Sequence, residues 1–165
     1  MREMLMGVAG LGHFTPLWST RILGEWARAA VKLGPTGTMQ AEAEIALLCA
    51  AWPAAEIAPA PGIEARLWLP DPADVHVLAT AISGSADLIV TLNAKDFPRR
   101  TLSEEGVDRI DPDAFLCNFW RDDPDGVASV GEKVLTEARR LSGETWEMRP
   151  LLKKARLPRL AKALG

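Results

Sequence analysis

Five consecutive residues near the middle of the chain, Leu88-Ile89-Val90-Thr91-Leu92, constrain its fold more than any other stretch. The run is nearly all apolar and carries β-branched side chains, so it reads as a strand buried on both faces. Its neighbours supply the rest of an alternating pattern. Ala65-Arg66-Leu67-Trp68-Leu69 is a short strand candidate, and Val75, Leu78, Ala79 and Ile82 then keep helical spacing until Gly84. A weaker strand is expected over residues 107–110. Strand, helix, strand, short segment, strand is the order of a parallel sheet covered by helices, and the predicted fold class is α/β.

Helical segments flank this middle. Trp18, Ile22, Trp26, Ala29 and Leu33 recur as one apolar stripe, and Gly34-Pro35 stops that helix. A second helix, Met39 to Trp52, ends at Pro53, and the stretch from Pro53 to Gly62 reads as a connector. The early helices are expected to cover one face of the sheet. Later come helices over Asp113 to Trp120 and Val127 to Leu141, then a helical tail broken at Pro158.

Composition narrows the function classes. A 165-residue chain with 48% hydrophobic and 25% charged residues is sized and composed as a folded domain, and not as a disordered tail. Two cysteines, Cys49 and Cys117, match neither a disulfide framework nor a zinc spacing, which fits a reducing cytoplasm. No apolar run approaches the roughly 20 residues of a membrane span, and the start of the chain is too broken for a signal peptide. Net charge is −3, so any contact with nucleic acid needs a local patch. The tail offers one: Arg149, Lys153, Lys154, Arg156, Arg159 and Lys162 occur there with no acid, leaving residues 1–148 at −9. A solvated helical face and a phosphate-binding patch explain it equally well, and an acidic partner would also suit it.

Candidate chemistry lies at the carboxyl ends of the expected strands, where ligands of parallel sheets collect. Asp71 and Asp74 follow the Leu67–Leu69 segment, and Asn93 and Asp96 follow the Leu88–Leu92 run. Both clusters fall on one sheet edge, where converging carboxylates favour a hard divalent cation, Mg²⁺ or Mn²⁺, over zinc. Local roles compete with this. Asp71-Pro72 is a good helix start, with Asp at the N-cap and Pro at N1, and capping is the better reading of Asp71. Asp74 is more open, because its side chain is short for the reciprocal capping bond. Asn93 and Asp96 also read as turn and loop residues. Glu25 lies about 60° from the centre of its helix's apolar stripe, and Arg21 and Arg28 are placed to pair with it at the surface. His76 reads as a helix surface residue. The six tryptophans fit core packing better than base stacking. No Gly-rich phosphate loop, His-Glu-x-x-His or Gly-x-Ser-x-Gly occurs.

The stretch from Leu69-Pro70-Asp71-Pro72-Ala73-Asp74 to Ala81, with the following Ala86 to Pro98, resembles the second half of a PIN domain. Pro16 to Trp26 is similar to that family's helix bearing its second acid, and the resemblance covers about residues 1–120. It implies a three-layer parallel sheet flanked by helices over residues 1–120, with residues 121–165 as a basic helical extension packed on or beside it. It also implies a Mg²⁺- or Mn²⁺-dependent endoribonuclease, closest to the toxin components of bacterial toxin–antitoxin pairs. Carried over by position, Glu25, Asp74 and Asp96 are the catalytic acids, with Asn93 among the metal ligands. Asp71, Ser19 and Thr91 are secondary, orienting residues. Implied partners are RNA, an antitoxin protein and a second copy of the chain. The family's first strand and its aspartate have no counterpart, because residues 1–11 already look like the helix that follows them. Weak nuclease activity is therefore expected of the chain as written. Two other readings stay open: a non-catalytic PIN-like module bound by another protein, and an α/β domain that contacts RNA without cutting it.

Overall fold

Prolines and small polar residues set most of the element boundaries. The computed structural model describes the backbone of residues 1–165 and every side chain except those of Leu33, Pro35 and Thr36. Its helices are α1 (Arg2–Gly10), α2 (Thr20–Ala30), α3 (Pro35–Ala51), α4 (Pro61–Glu64), α5 (Val75–Ser83), α6 (Arg99–Glu104), α7 (Pro112–Asp122), α8 (Pro124–Ser142), α9 (Met148–Lys154) and α10 (Pro158–Leu164). Two strands, β1 (Leu88–Val90) and β2 (Asp108–Ile110), pair in parallel. Pro61, Pro112, Pro124 and Pro158 each open a helix, where a missing N–H is no loss. Asp111 and Asp123 cap α7 and α8, each accepting a backbone N–H at 2.9 Å. Gly143 ends α8 in the left-handed conformation at φ +70, and its N–H bonds to Arg139 O.

The chain divides into two compact units. One comprises Met1–Pro16, Val90–Leu92 and Ile110–Gly165, and the other Leu17–Ile89 and Asn93–Arg109. In the first, α1 and the C-terminal helices bury a common core that includes Met4, Val8, Leu116, Val127, Leu152 and Leu160. Gly7 lets α1 approach α8 closely, since a Cβ there would stand 2.4 Å from Val130 Cγ1. In the second, Leu69, Leu78, Ile89, Phe97, Leu102 and Val107 form the core. Each fully buried leucine contributes about 1.5–3 kcal/mol. Among the described residues no helix is long and apolar enough to cross a membrane.

The α/β class holds, but the strands are fewer and shorter than expected. Leu67–Leu69 forms no strand. Arg66 and Leu67 spend their N–H groups on turn bonds to Ile63 and Glu64, and the prolines at 70 and 72 have no N–H to give a ladder. Leu69 is buried and Trp68 exposed, so the side chains alternate without any pairing. The Leu88–Leu92 run is not buried on both faces either. Only Ile89 is buried; Leu88 and Leu92 are exposed, because the sheet is two strands wide. Asp108 N–H donates to Asp87 O in one unit, and Thr91 N–H to Ile110 O in the other. Trp18 lies outside the helix that its spacing suggested. Ser19 is the N-cap of α2, and Trp18 makes an isolated parallel bridge to Glu56 within the Pro53–Gly62 connector. The fully buried face of α2 consequently runs through Leu23 and Ala30, while Ala29 is exposed.

Candidate metal centre

The Pro70-Asp71-Pro72 sequence determines how the first two acids are presented. Asp71 is extended, and its Oδ1 accepts the Ala73 N–H at 2.9 Å, capping a 3-10 turn over Pro72–Asp74. That turn delivers Asp74 to the N-cap position of α5, where its side chain makes no capping bond. Its carboxylate instead receives the Asn93 amide, Nδ2 to Oδ2 at 3.2 Å. Asp96 follows three residues on and is mostly buried. One oxygen from each of Asp71, Asp74 and Asp96 lies within 4.8 Å of the other two. Asp71 is thus both the cap expected of it and a member of the cluster.

These charges are poorly compensated. Among the described residues no lysine or arginine pairs with Asp71 or Asp74, and Asp96 meets only the exposed Lys95 at 3.7 Å. Such an exposed contact is worth little. The Asp74 carboxyl is accordingly raised above its ordinary value. Burial is the first cause, and the negative charges of Asp71, Asp96 and Glu25 follow, with His76 opposing.

Glu25 stands outside the three-aspartate group. On α2 it meets Arg21 at 3.6 Å and Arg28 at 3.8 Å, the surface pairs its spacing suggested, and it also meets His76, Nε2 to Oε1 at 3.0 Å. Ser19 is buried and caps α2, accepting the Ile22 N–H at 3.3 Å. Thr91 belongs to the other unit.

His76 is the residue that sequence reading misplaced. It is 4% exposed, not a surface group, and apart from the ion-pair contact neither ring nitrogen has a hydrogen bond of good geometry. A signal was present. The α5 sequence Val75 to Ser83 carries no lysine, arginine or acid, and a helix apolar all round is buried all round, its histidine included.

Three carboxylate oxygens with a neutral amide beside them form a hard-oxygen donor set suited to Mg²⁺ or Mn²⁺. Around octahedral Mg²⁺ adjacent ligand oxygens stand about 3 Å apart and opposite ones about 4.2 Å, so three oxygens within 4.8 Å of one another are near enough to be drawn onto one ion by side-chain rotation. The residues fit such an ion. Its charge would offset the burial and the repulsion that raise Asp74.

The family model of the PIN domain matches residues 2–95, more than half of the chain. The chain belongs to the PIN domain family, whose members are typically nucleases that use divalent metals. No curated protein and no solved structure matches it.

Proposed function

We propose that the chain is a Mg²⁺- or Mn²⁺-dependent endoribonuclease of PIN type, built on the family's three-layer arrangement. In this reading it acts in the cytoplasm as the toxin of a toxin–antitoxin pair, with RNA as substrate and an antitoxin protein and a second copy of the chain as partners. The observation that carries the reading is the convergence of Asp71, Asp74 and Asp96 without a basic partner for the first two. A structural cluster of surface acids gains nothing from that arrangement.

Asp74 and Asp96 hold the ion, Asp71 adds a third oxygen, and Asn93 orients Asp74 through its amide. Glu25, whose charge is felt at Asp74, supplies a further acid from α2. Ser19 acts only in orientation, by fixing the start of α2. When bound, the ion activates water and stabilises the departing oxygen of the phosphodiester.

Asp74→Asn tests this. It is expected to abolish Mn²⁺ binding in a calorimetric titration and Mn²⁺-dependent RNA cleavage together, with the fold intact by circular dichroism. Wild-type protein that binds no Mn²⁺ at millimolar concentration is instead the non-catalytic module. Cleavage that survives Asp74→Asn removes Asp74 from the chemistry.

A further inference from the structure

Outside the acidic cluster, a group of cations without acid partners lies on the unit that holds the C-terminal helices. Helices α7 and α10 flank a groove of about 450 Å³, lined in part by Cys117, Asn118, Trp120, Arg121, Arg159 and Lys162. Three of its lining residues are cations and none is an acid. Among the described residues no carboxylate pairs with any of the three. Arg121 Nη1 donates to Asn118 Oδ1 at 2.8 Å, which steadies its guanidinium. The backbone that carries Arg159 is also held: the N–H groups of Arg159 and Leu160 donate to the buried Asp113 carboxylate at 2.8 and 3.0 Å. Asp113 therefore faces the backbone of α10 and is already satisfied.

We propose that this groove binds a single-stranded RNA segment, with Arg121, Arg159 and Lys162 on successive phosphates and Trp120 stacking against a base. A solvated basic face needs neither concavity nor freedom from acids. The groove has both, in a chain whose net charge is negative. An acidic peptide would use the cations but would leave unused the part of the Trp120 ring that is not packed on the core and the Asn118 amide N–H groups, whose oxygen already accepts from Arg121. A nucleotide uses all of them, phosphate on the cations, base on the ring, base edge on the amide. The volume is in the range that holds a small ligand. The choice of RNA among nucleic acids rests on the ribonuclease reading above; the groove itself does not.

The test uses the full chain in EDTA, so that binding is read without cleavage. Anisotropy of a fluorescein-labelled oligouridylate eight nucleotides long is followed against KCl concentration. With three phosphates neutralised, log K is expected to fall against log[KCl] with a slope of about −2. The triple variant Arg121→Gln/Arg159→Gln/Lys162→Gln, all at exposed positions, is expected to lose most of that slope and at least tenfold in affinity, while binding Mn²⁺ as wild type does. Trp120→Leu is expected to weaken binding on the order of tenfold, with Trp120→Phe restoring most of it. Wild-type affinity and slope in the triple variant would overturn the proposal. So would a poly-glutamate peptide that binds as tightly as the oligonucleotide and is indifferent to Trp120→Leu, which assigns the groove to an acidic protein. If Mn²⁺ binding fails in wild type while oligonucleotide binding still depends on the three cations, the ribonuclease reading falls and the groove stands.

Discussion

Asp74 has a measurable signature even before any substrate is added. Its carboxyl is raised in the folded protein, so between the ordinary carboxylate range and that raised value the folded state holds more protons than the unfolded chain. Stability contributed by this group therefore falls as pH rises through that window and stays lower above it. In metal-free protein, Asp74→Asn is expected to raise the urea midpoint at pH 7. The advantage should vanish at pH values below the ordinary carboxylate range, where Asp74 is neutral in both states. A variant less stable than wild type at pH 7 would mean that Asp74 acts as a cap after all. Asp71 should behave oppositely. Its bond to Ala73 N caps the 3-10 turn, so Asp71→Ala is expected to lower stability by about 0.5–2 kcal/mol in the same measurement. The local role of Asp71 was legible from Asp-Pro alone, because a cap depends on residues two or three positions away. The burial of His76 could be read only from the whole of α5, which carries no charged residue; its contact with Glu25 could not, because that acid is remote in the chain.

At the scale of elements, two close fits carry the unit containing α1 and the C-terminal helices. Gly7 sits where α1 meets Val130 of α8, and an added Cβ would overlap its Cγ1 at 2.4 Å. Gly7→Ala gains about 1 kcal/mol of helix propensity, but overpacking a buried valine costs about 1–3 kcal/mol. A net loss of stability is expected in thermal unfolding, and Gly7→Ala with Val130→Ala should recover part of it. Asp113 caps α10 from α7 through two backbone N–H groups. Asp113→Ala leaves those donors unpaired in a buried setting, at about 1–3 kcal/mol, and faster amide exchange at Arg159 and Leu160 would report it. Helix positions were largely legible, since Pro, Gly and the capping residues act within a turn. Strands were less so. The same alternation at Leu67–Leu69 satisfies burial without a ladder, and only a neighbouring strand with free donors and acceptors makes an extended segment a strand.

For the molecule as a whole, charge is divided along the chain, with six cations and no acid after residue 148 and net negative charge before it. The proposed metal site and the proposed RNA groove fall in different compact units. Divalent metal is expected to stabilise the folded protein by mass action, about 2.7 kcal/mol at a hundredfold excess over its dissociation constant. A thermal shift with MnCl₂ compared against NaCl of equal ionic strength checks this, and Asp74→Asn should show none of the shift.

Sequence by itself determined the α/β class, most helix boundaries, the capping role of Asp71 and the acids worth considering, because these follow from hydrogen bonding and periodicity within a few residues. Tertiary structure alone decided that Asp71 joins Asp74 and Asp96 while Glu25 stays with His76, that Leu88 and Leu92 remain exposed, and that acid-free walls meet in the α7–α10 groove. Each of those outcomes depends on the distance between groups far apart in the chain, which no local preference encodes.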